Sequence, residues 1–302
     1  MPPFAIKVMR SVFSVAGRLS PHLASYLAFD LFCRTPSRRP VGDRARTVHA
    51  DGMRRLDMAR RMPFQSGKAR VMAYRFNGGP SGSHRRLLVV HGWGSSAAYM
   101  AALAEGLASD GSEVIVLDLP GHGLSSGRRM HMRMAVEVLA EAERLYGPFD
   151  GVVGHSFGGA SLLLAAGGTM PGVGRIRPRR IAVIGAPTRI EWLFDDFSRQ
   201  VGLTAATKDA LVRRAERMAG AALGDFDTVP VVRHLQTPLL VVHAEDDKEV
   251  HADHARRYAG TATATIHWAN GYGHRRIISA PEVIASVRDF MLAPPDHHAA
   301  VA

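Results

Sequence analysis

A serine flanked by glycines stands where the chain can expose a reactive hydroxyl. The pentapeptide G-H-S-F-G at 154–158 follows an apolar segment at 149–153 and precedes a small-residue helical pattern at 159–166. Glycines at both ends remove the Cβ atoms that would clash in a sharp bend from strand to helix. Such a bend lifts the Ser156 hydroxyl above the end of the strand. The pattern therefore predicts that Ser156 is a nucleophile.

A nucleophilic serine needs donors that stabilise the negative charge developing on the group it attacks. The apolar run 87–91 ends in a glycine-punctuated loop before a helical pattern at 97–109. This loop would bring the backbone N–H of Trp93 beside the bend, where the N–H of Phe157 also points. The two N–H groups are the predicted oxyanion hole. The alternative is that His91 opens an ordinary strand-to-helix turn.

The serine also needs a base and an acid that orients the base. Of the 15 histidines, His274 is the predicted base because it lies in a glycine loop after the last apolar run, 263–268. The preceding apolar run, 238–243, leads into three adjacent acids at 245–247. The chemistry of these residue types leaves the choice among the three acids open.

These motifs resemble those of the α/β-hydrolase superfamily over about residues 68–292. The resemblance rests on the serine pentapeptide, the loop at 91–96, the turn at 118–125 and the order of serine, acid and histidine along the chain. In the turn, Asp118 and His122 are expected to hold the loop rather than to react.

The resemblance selects one acid and implies a mechanism. In the family motif H-G-x-x-D the acid is the fourth residue after the histidine, which corresponds to Asp247, although Ala244 replaces the usual glycine. The implied triad is Ser156, Asp247 and His274, acting by acyl transfer to water. A serine at the bend, rather than an aspartate, disfavours the epoxide-hydrolase and haloalkane-dehalogenase branches.

The wider pattern predicts an α/β fold with a mainly parallel central sheet and helices on both faces, as in the α/β-hydrolase fold. Continuously apolar runs that alternate with helical patterns are typical of buried parallel strands. The runs are 70–76, 87–91, 114–118, 149–154, 181–185, 238–243 and 263–268, and the helical patterns are 97–109, 130–146, 157–167, 253–260 and 281–291. The hydrolase domain is expected at 68–292, followed by a tail at 293–302.

An insert at 187–232 is predicted to form a short helical cap. Its start carries the aromatic residues Trp192, Phe194 and Phe197. Together with His155 beside the serine, they are the predicted substrate-pocket residues, and they favour an apolar acyl group. The alternative is that the aromatic residues dock the insert onto the sheet, and both roles can coexist.

The segment 1–67 is predicted to be a basic helical extension. Residues 1–61 hold 12 Lys/Arg and 4 Asp/Glu, whereas the whole chain has a net charge of +11. The first helical pattern separates a polar face (Lys7, Arg10, Ser11, Ser14, Arg18) from an apolar face (Phe4, Val8, Val12, Val15, Leu19). Ser20 and Pro21 predict the start of a second helix. Such helices can lie on an anionic membrane surface or pack on the body with their charges in water.

Several classes of protein are disfavoured. The basic residues lack interleaved stacking aromatics, so no nucleic-acid partner is expected. No metal-ligand cluster or cofactor motif is recognised. Arg18 interrupts the apolar region near the start of the sequence, which argues against a secretory signal. No apolar stretch is nearly as long as the ~20 residues that a membrane-spanning helix needs. The single cysteine, Cys33, precludes intramolecular disulfides. These features favour a cytoplasmic protein, and peripheral membrane contact through the basic N-terminal helix is the alternative to packing of that helix on the body.

The expected function is hydrolysis of a small-molecule carboxylic ester, as in a carboxylesterase or lipase. Thioesterase, serine aminopeptidase and C–C hydrolase chemistry are the alternatives on the same machinery. A different class of function is a ligand- or membrane-binding protein without turnover, although such a protein would not need an activated serine.

Overall fold

An eight-stranded sheet forms the centre of the computed structural model, which describes residues 3–77 and 85–294. The strands are β1 (Arg60–Ser66), β2 (Ala69–Phe76), β3 (Arg86–Val90), β4 (Glu113–Asp118), β5 (Gly151–His155), β6 (Arg180–Ile184), β7 (Leu239–His243) and β8 (Ala264–Trp268). Their order is β1-β2-β4-β3-β5-β6-β7-β8. Only the pairings of β2 with β1 and with β4 are antiparallel. The mainly parallel sheet that the sequence predicted is therefore confirmed.

Helices cover both faces of this sheet. They are α1 (Pro3–Leu19), α2 (Pro21–Phe32), α3 (Asp43–Asp57), α4 (Ala97–Ala108), α5 (Met132–Tyr146), α6 (Phe157–Gly167), α7 (Glu191–Val201), α8 (Ala205–Ala219), α9 (Thr228–Leu235), α10 (Asp253–Arg256), α11 (Gly273–Arg276) and α12 (Pro281–Leu292). Short 3₁₀ turns occupy Leu223–Phe226 and Ile277–Ser279. No helix of the described ranges is long and apolar enough to cross a membrane.

The strands separate two hydrophobic cores. Along β3, Leu88 and Val90 face one core, whereas Leu87 and Val89 face the other. Because successive side chains of a strand point to opposite faces, an entirely apolar strand is stable only with helices packed on both sides. Because the strands from β4 to β8 in the sheet order run parallel, their carboxyl ends share one edge of the sheet. The loops of the candidate site begin at this edge.

The body of the protein begins earlier than the sequence suggested. The sheet starts at Arg60, inside the predicted extension 1–67, because β1 pairs along its whole length with β2 and buries Phe64. Helix α3 also belongs to the body, since Gly52 closely approaches the backbone of Ala98 in α4. Most of the tail predicted at 293–302 lies outside the described residues.

The first two helices form a hairpin on the outside of the predicted insert. The side chain of Ser20 caps α2 by accepting a hydrogen bond from the N–H of Leu23 at 3.2 Å, and Pro21 is the first residue of the helix. The ring of Phe32, at the end of α2, stacks on Phe194 of α7 with 4.6 Å between ring centroids. The hairpin and the insert are therefore packed together.

Candidate active site

The backbone of Ser156 adopts the bend that the pentapeptide predicted. Ser156 lies between β5 and α6 with φ 51° and ψ −121°, a conformation that non-glycine residues rarely adopt. Its N–H is held by a hydrogen bond to the carbonyl oxygen of Ile184 at 2.8 Å. Such strain persists only where the surroundings enforce it, and it is concentrated at functional sites.

The two outer glycines of the pentapeptide are required by close contacts. A Cβ on Gly154 would lie 2.5 Å from the Cα of Gly159. A Cβ on Gly158 would lie 2.5 Å from the carbonyl oxygen of His91 and 2.7 Å from that of Val90. These contacts bring the start of α6 directly against the end of β3, which places the loop after β3 beside Ser156.

We expect Gly158→Ala to destabilise the protein by about 1–3 kcal/mol, because the added methyl group would meet backbone that cannot rotate away. Gly224→Ala is the matched control, since a Cβ at Gly224 has no neighbour within 4 Å. Urea unfolding followed by circular dichroism measures both changes. Equal unfolding midpoints for the two variants would contradict the assigned packing.

A chain of two hydrogen bonds links Ser156, His274 and Asp247. His274 Nε2 lies 3.0 Å from the Ser156 Oγ, and its Nδ1 lies 2.7 Å from Asp247 Oδ2. Since an ionised carboxylate only accepts, Nδ1 carries the proton and Nε2 is free to accept the hydroxyl proton. The geometry is that of an activated serine.

The environment of Asp247 keeps this carboxyl group ionised. Burial acts to raise its pKa, but the hydrogen bonds from His274, Val250 and Glu249 prevail and hold the pKa below its ordinary value. The backbone N–H groups of Glu249 and Val250 both donate to Oδ1, at 2.8 and 2.9 Å. Asp247 can therefore orient His274 and stabilise its protonated form.

The neighbouring acids that the sequence could not separate have other partners. Asp246 accepts a hydrogen bond from the N–H of Gly271 at 2.8 Å. Glu245 forms an exposed ion pair with Arg256 and accepts a hydrogen bond from Asn270. Of the three, only Asp247 is hydrogen-bonded to His274.

Gly185 is a site residue that the sequence reading missed. It follows β6 with φ +57°, and an added Cβ would lie 3.2 Å from His274 Nδ1 and 3.4 Å from Asp247 Oδ2. A side chain there would crowd the hydrogen bond between the two residues. The glycine that closes the predicted strand 181–185 was the available signal, but many strands end in this way.

His155 is buried rather than exposed in a pocket, which corrects the prediction that it lines the substrate site. Strand alternation places its side chain on the same face of the sheet as Val153, in the core that includes Ile277. There its Nε2 donates to the backbone oxygen of His274 at 2.9 Å. Burial lowers the pKa of His155 to about 3, so the ring is neutral and positions the His274 loop.

The loop after β3 lies directly against the serine. A Cβ on Gly92 would be 2.9 Å from the Cβ of Ser156. The next residue, Trp93, packs its indole edge-on against the ring of Phe157, with centroids 5.7 Å apart. Phe157 is the first residue of α6, where a backbone N–H has no acceptor within the helix. The loop and the helix start therefore flank the Ser156 hydroxyl.

Two neutral histidines fix this loop to the turn that follows β4. His122 Nε2 accepts a hydrogen bond from the N–H of Gly94 at 3.0 Å, and His91 Nε2 accepts one from the N–H of Leu119 at 3.0 Å. Burial lowers their pKa values, to about 3 for His122 and about 4 for His91. Both rings can therefore accept these bonds at neutral pH.

Asp118 holds the same turn. Its carboxylate accepts hydrogen bonds from the N–H of Ala97 at 2.7 Å and of Leu124 at 2.8 Å. Burial raises the pKa of this carboxyl group. A Cβ on Gly123 would lie 2.1 Å from the carboxylate, so the turn needs glycine there. Asp118 and His122 thus contact loop backbone, as the sequence suggested.

The aromatic residues of the insert make docking contacts. Phe194 is buried against Phe32, and Phe197 meets the same ring edge-on with centroids 5.2 Å apart. Trp192 donates its indole N–H to the carbonyl oxygen of Arg189 at 3.0 Å. The ring contacts of Phe194 and Phe197 are thus with the N-terminal hairpin rather than with the sheet, and the Trp192 hydrogen bond stays within the insert. The assignment of the three residues to a substrate pocket stays a prediction.

A surface cavity lies apart from the hydrogen-bonded chain of Ser156, His274 and Asp247. It has a volume of about 530 Å³ and lies beside the turn after β4, lined by Pro120 and Ser126 together with charged side chains of the N-terminal region, and its lining does not include Ser156. In residues 3–77 and 85–294, no group of three His, Cys, Asp or Glu side chains is placed to hold a metal ion.

Comparisons with known proteins agree with this architecture. A putative lipase from Acinetobacter baumannii AYE has a similar structure, with 17% identity, a TM-score of 0.59, and coverage of 85% of this chain and 98% of its own. The proline iminopeptidase of Mycobacterium smegmatis is similar with 17% identity and a TM-score of 0.56, and the alignment covers 77% of this chain and 97% of the peptidase. A membrane phospholipase A described as a bacterial virulence factor has 19% identity and a TM-score of 0.55, and the alignment covers 96% of this chain and 98% of the phospholipase.

A search of curated protein sequences found no match. The sequence profile of the alpha/beta hydrolase family matches residues 87–287, which is more than half of the chain and spans every residue of the candidate site. The structures at these low identities agree with the profile in fold. The chain therefore belongs to the alpha/beta hydrolase family.

Proposed function

We propose that the protein is a serine hydrolase that cleaves a carboxylic ester with an apolar acyl group. The observation that carries the proposal is the hydrogen-bonded chain from Ser156 through His274 to the ionised Asp247. A protein that only bound a ligand would have no use for this arrangement, because its effect is to make the serine oxygen nucleophilic.

The proposed reaction proceeds through an acyl-enzyme. His274 takes the proton of Ser156 as the serine oxygen attacks the ester carbonyl carbon. The N–H groups of Trp93 and Phe157 stabilise the oxyanion, and His274 then protonates the alcohol that leaves. His274 next takes a proton from a water molecule as the water oxygen attacks the acyl carbon. When the bond from the acyl carbon to the Ser156 oxygen breaks, His274 returns this proton to Ser156, and the carboxylic acid is released.

The choice of an ester over other acyl substrates rests on the names of similar structures. Among the similar structures, one is named a lipase and one a phospholipase A, whereas another is named a peptidase and a fourth a thioesterase domain. Thioesters, peptides and carbon–carbon bonds are the alternative substrates, because each passes through the same attack by Ser156. The membrane- or ligand-binding alternative without turnover predicts no acyl-enzyme at all.

The test combines turnover with covalent labelling. We expect hydrolysis of p-nitrophenyl esters with an optimum at one acyl length, and labelling of Ser156 by a fluorophosphonate, located by mass spectrometry. If Ser156 is labelled but no ester is hydrolysed, the ester substrate is wrong and a thioester, a peptide or a carbon–carbon bond becomes the proposed substrate. If neither occurs, the serine-hydrolase proposal is wrong and the binding alternative is favoured.

A further inference from the structure

Large apolar side chains are exposed along one side of the α1–α2 hairpin. The set consists of Val12, Val15 and Leu19 in α1 and Leu23, Tyr26 and Leu27 in α2, and it is called the hairpin face below. Leu19 is 82% exposed, Leu23 64% and Val15 61%. Single exposed apolar residues are ordinary, but several at helical spacing on adjoining helices mark a contact surface.

The opposite side of α1 explains why this face points outward. Arg10 donates to the backbone oxygens of Arg199 and Gln200, both at 3.0 Å. Phe13 is buried, and Gly17 lies against Thr207 of α8. Residues 10, 13 and 17 share one helix face, and residues 12, 15 and 19 share the opposite one. Rotation of α1 to bury its apolar face would break these contacts.

This arrangement differs from what the sequence suggested for α1. Arg10 and Arg18 are exposed, as packing on the body was expected to leave them. The difference is that the apolar residues Val12, Val15 and Leu19 also face outward, while Arg10 donates to backbone oxygens of α7. Phe13, which was assigned to neither face, provides the buried contact. The side chains of Phe4, Lys7 and Val8 lie outside the described residues.

The charges around the hairpin face are mostly positive. Arg18 is exposed at the end of α1, and α8 packs against α2. Helix α8 carries four Lys/Arg (Lys208, Arg213, Arg214, Arg217) and two acidic residues (Asp209, Glu216), and Arg213, Arg217 and Asp209 are exposed. The guanidinium of Arg214 lies over the ring of Tyr26, 3.4 Å from its centroid. From residue 9 to residue 32 the only acidic residue is Asp30, and it is paired with Arg129. The surface therefore combines apolar side chains with cations.

An anionic lipid bilayer has the complementary chemistry. Apolar side chains enter the boundary between headgroups and acyl chains, while arginines meet the anionic headgroups. We propose that the hairpin face docks the protein on the surface of an anionic membrane. Since Phe32 of the hairpin stacks on Phe194, docking would hold the insert next to the bilayer. The proposal does not depend on the chemistry of Ser156.

The test is co-sedimentation of the full-length protein with phosphatidylcholine vesicles that contain or lack phosphatidylserine. We expect binding to the anionic vesicles, weakened by salt, and a loss of at least about tenfold in the partition coefficient for the double variant Leu19→Glu/Leu23→Glu. The matched control is Val41→Glu/Met58→Glu, which adds the same charge at two side chains that are each 87% exposed outside the hairpin. This control should bind like the wild type.

Three results would overturn the proposal: no sedimentation of the wild type with anionic vesicles, equal binding by the hairpin variant, or equal loss in both double variants. Light scattering adds a second readout, because a wild-type dimer that the hairpin variant abolishes, without vesicle binding, would assign the face to a second copy of the chain. Circular dichroism verifies that both variants are folded. The readout is binding, so failure of the ester-hydrolase proposal would leave this result unaffected.

Discussion

Replacing Ser156 with alanine is expected to lower kcat/KM for the best p-nitrophenyl ester by about 10⁴–10⁶-fold. The alanine removes the oxygen that attacks the carbonyl, whereas the surrounding hydrogen bonds remain. The effect should be almost entirely in kcat, because the oxygen forms its new bond only after the substrate is bound. The residual rate would reflect water attack assisted by the backbone donors.

The matched control for this substitution is Ser279→Ala. Ser279 is exposed, and among the described residues its hydroxyl group donates to the carbonyl oxygen of Arg276 and is not part of the hydrogen-bonded chain of Ser156. Its loss should leave kcat/KM unchanged within error. A Ser156→Ala enzyme that kept even one hundredth of the wild-type rate would require a different nucleophile.

Replacing Asp247 with asparagine is expected to lower kcat/KM by about 10³–10⁴-fold. The carboxylate accepts two backbone N–H bonds at Oδ1 and the His274 Nδ1 proton at Oδ2. An asparagine has only one accepting oxygen, and the two backbone donors would retain it. Its NH₂ group would then face His274, favour the tautomer protonated at Nε2, and leave Ser156 without a base.

Asp246→Asn tests whether position 247 is specifically required. Asp246 is the adjacent carboxylate and accepts the N–H of Gly271 rather than that of His274, so its loss should change kcat/KM by no more than a few-fold. Steady-state kinetics of both variants at neutral pH provide the measurement. Similar losses in the two variants would show that the loop as a whole, rather than the Asp247 carboxylate, supports the rate.

The sequence by itself determined the parallel α/β architecture and the bend at Ser156. Both follow from local patterns, because a strand that is apolar throughout must be covered on both faces and a serine between glycines can adopt a strained turn. The predicted strands agree with the observed ones to within about two residues. The edge strand β1 was missed, since its exposed polar residues hide the alternation that buries Phe64.

Only the tertiary structure decided which groups meet across the sheet edge. Three adjacent acids look equivalent in the sequence, but the turn after β7 directs Asp247 toward His274 and Asp246 toward Gly271. The outward direction of the apolar side of α1 was likewise set by distant contacts of Arg10 and Phe13. A helical pattern in the sequence distinguishes two faces of a helix. Which face is buried depends on residues nearly two hundred positions away in the chain, and the local spacing of residues does not identify them.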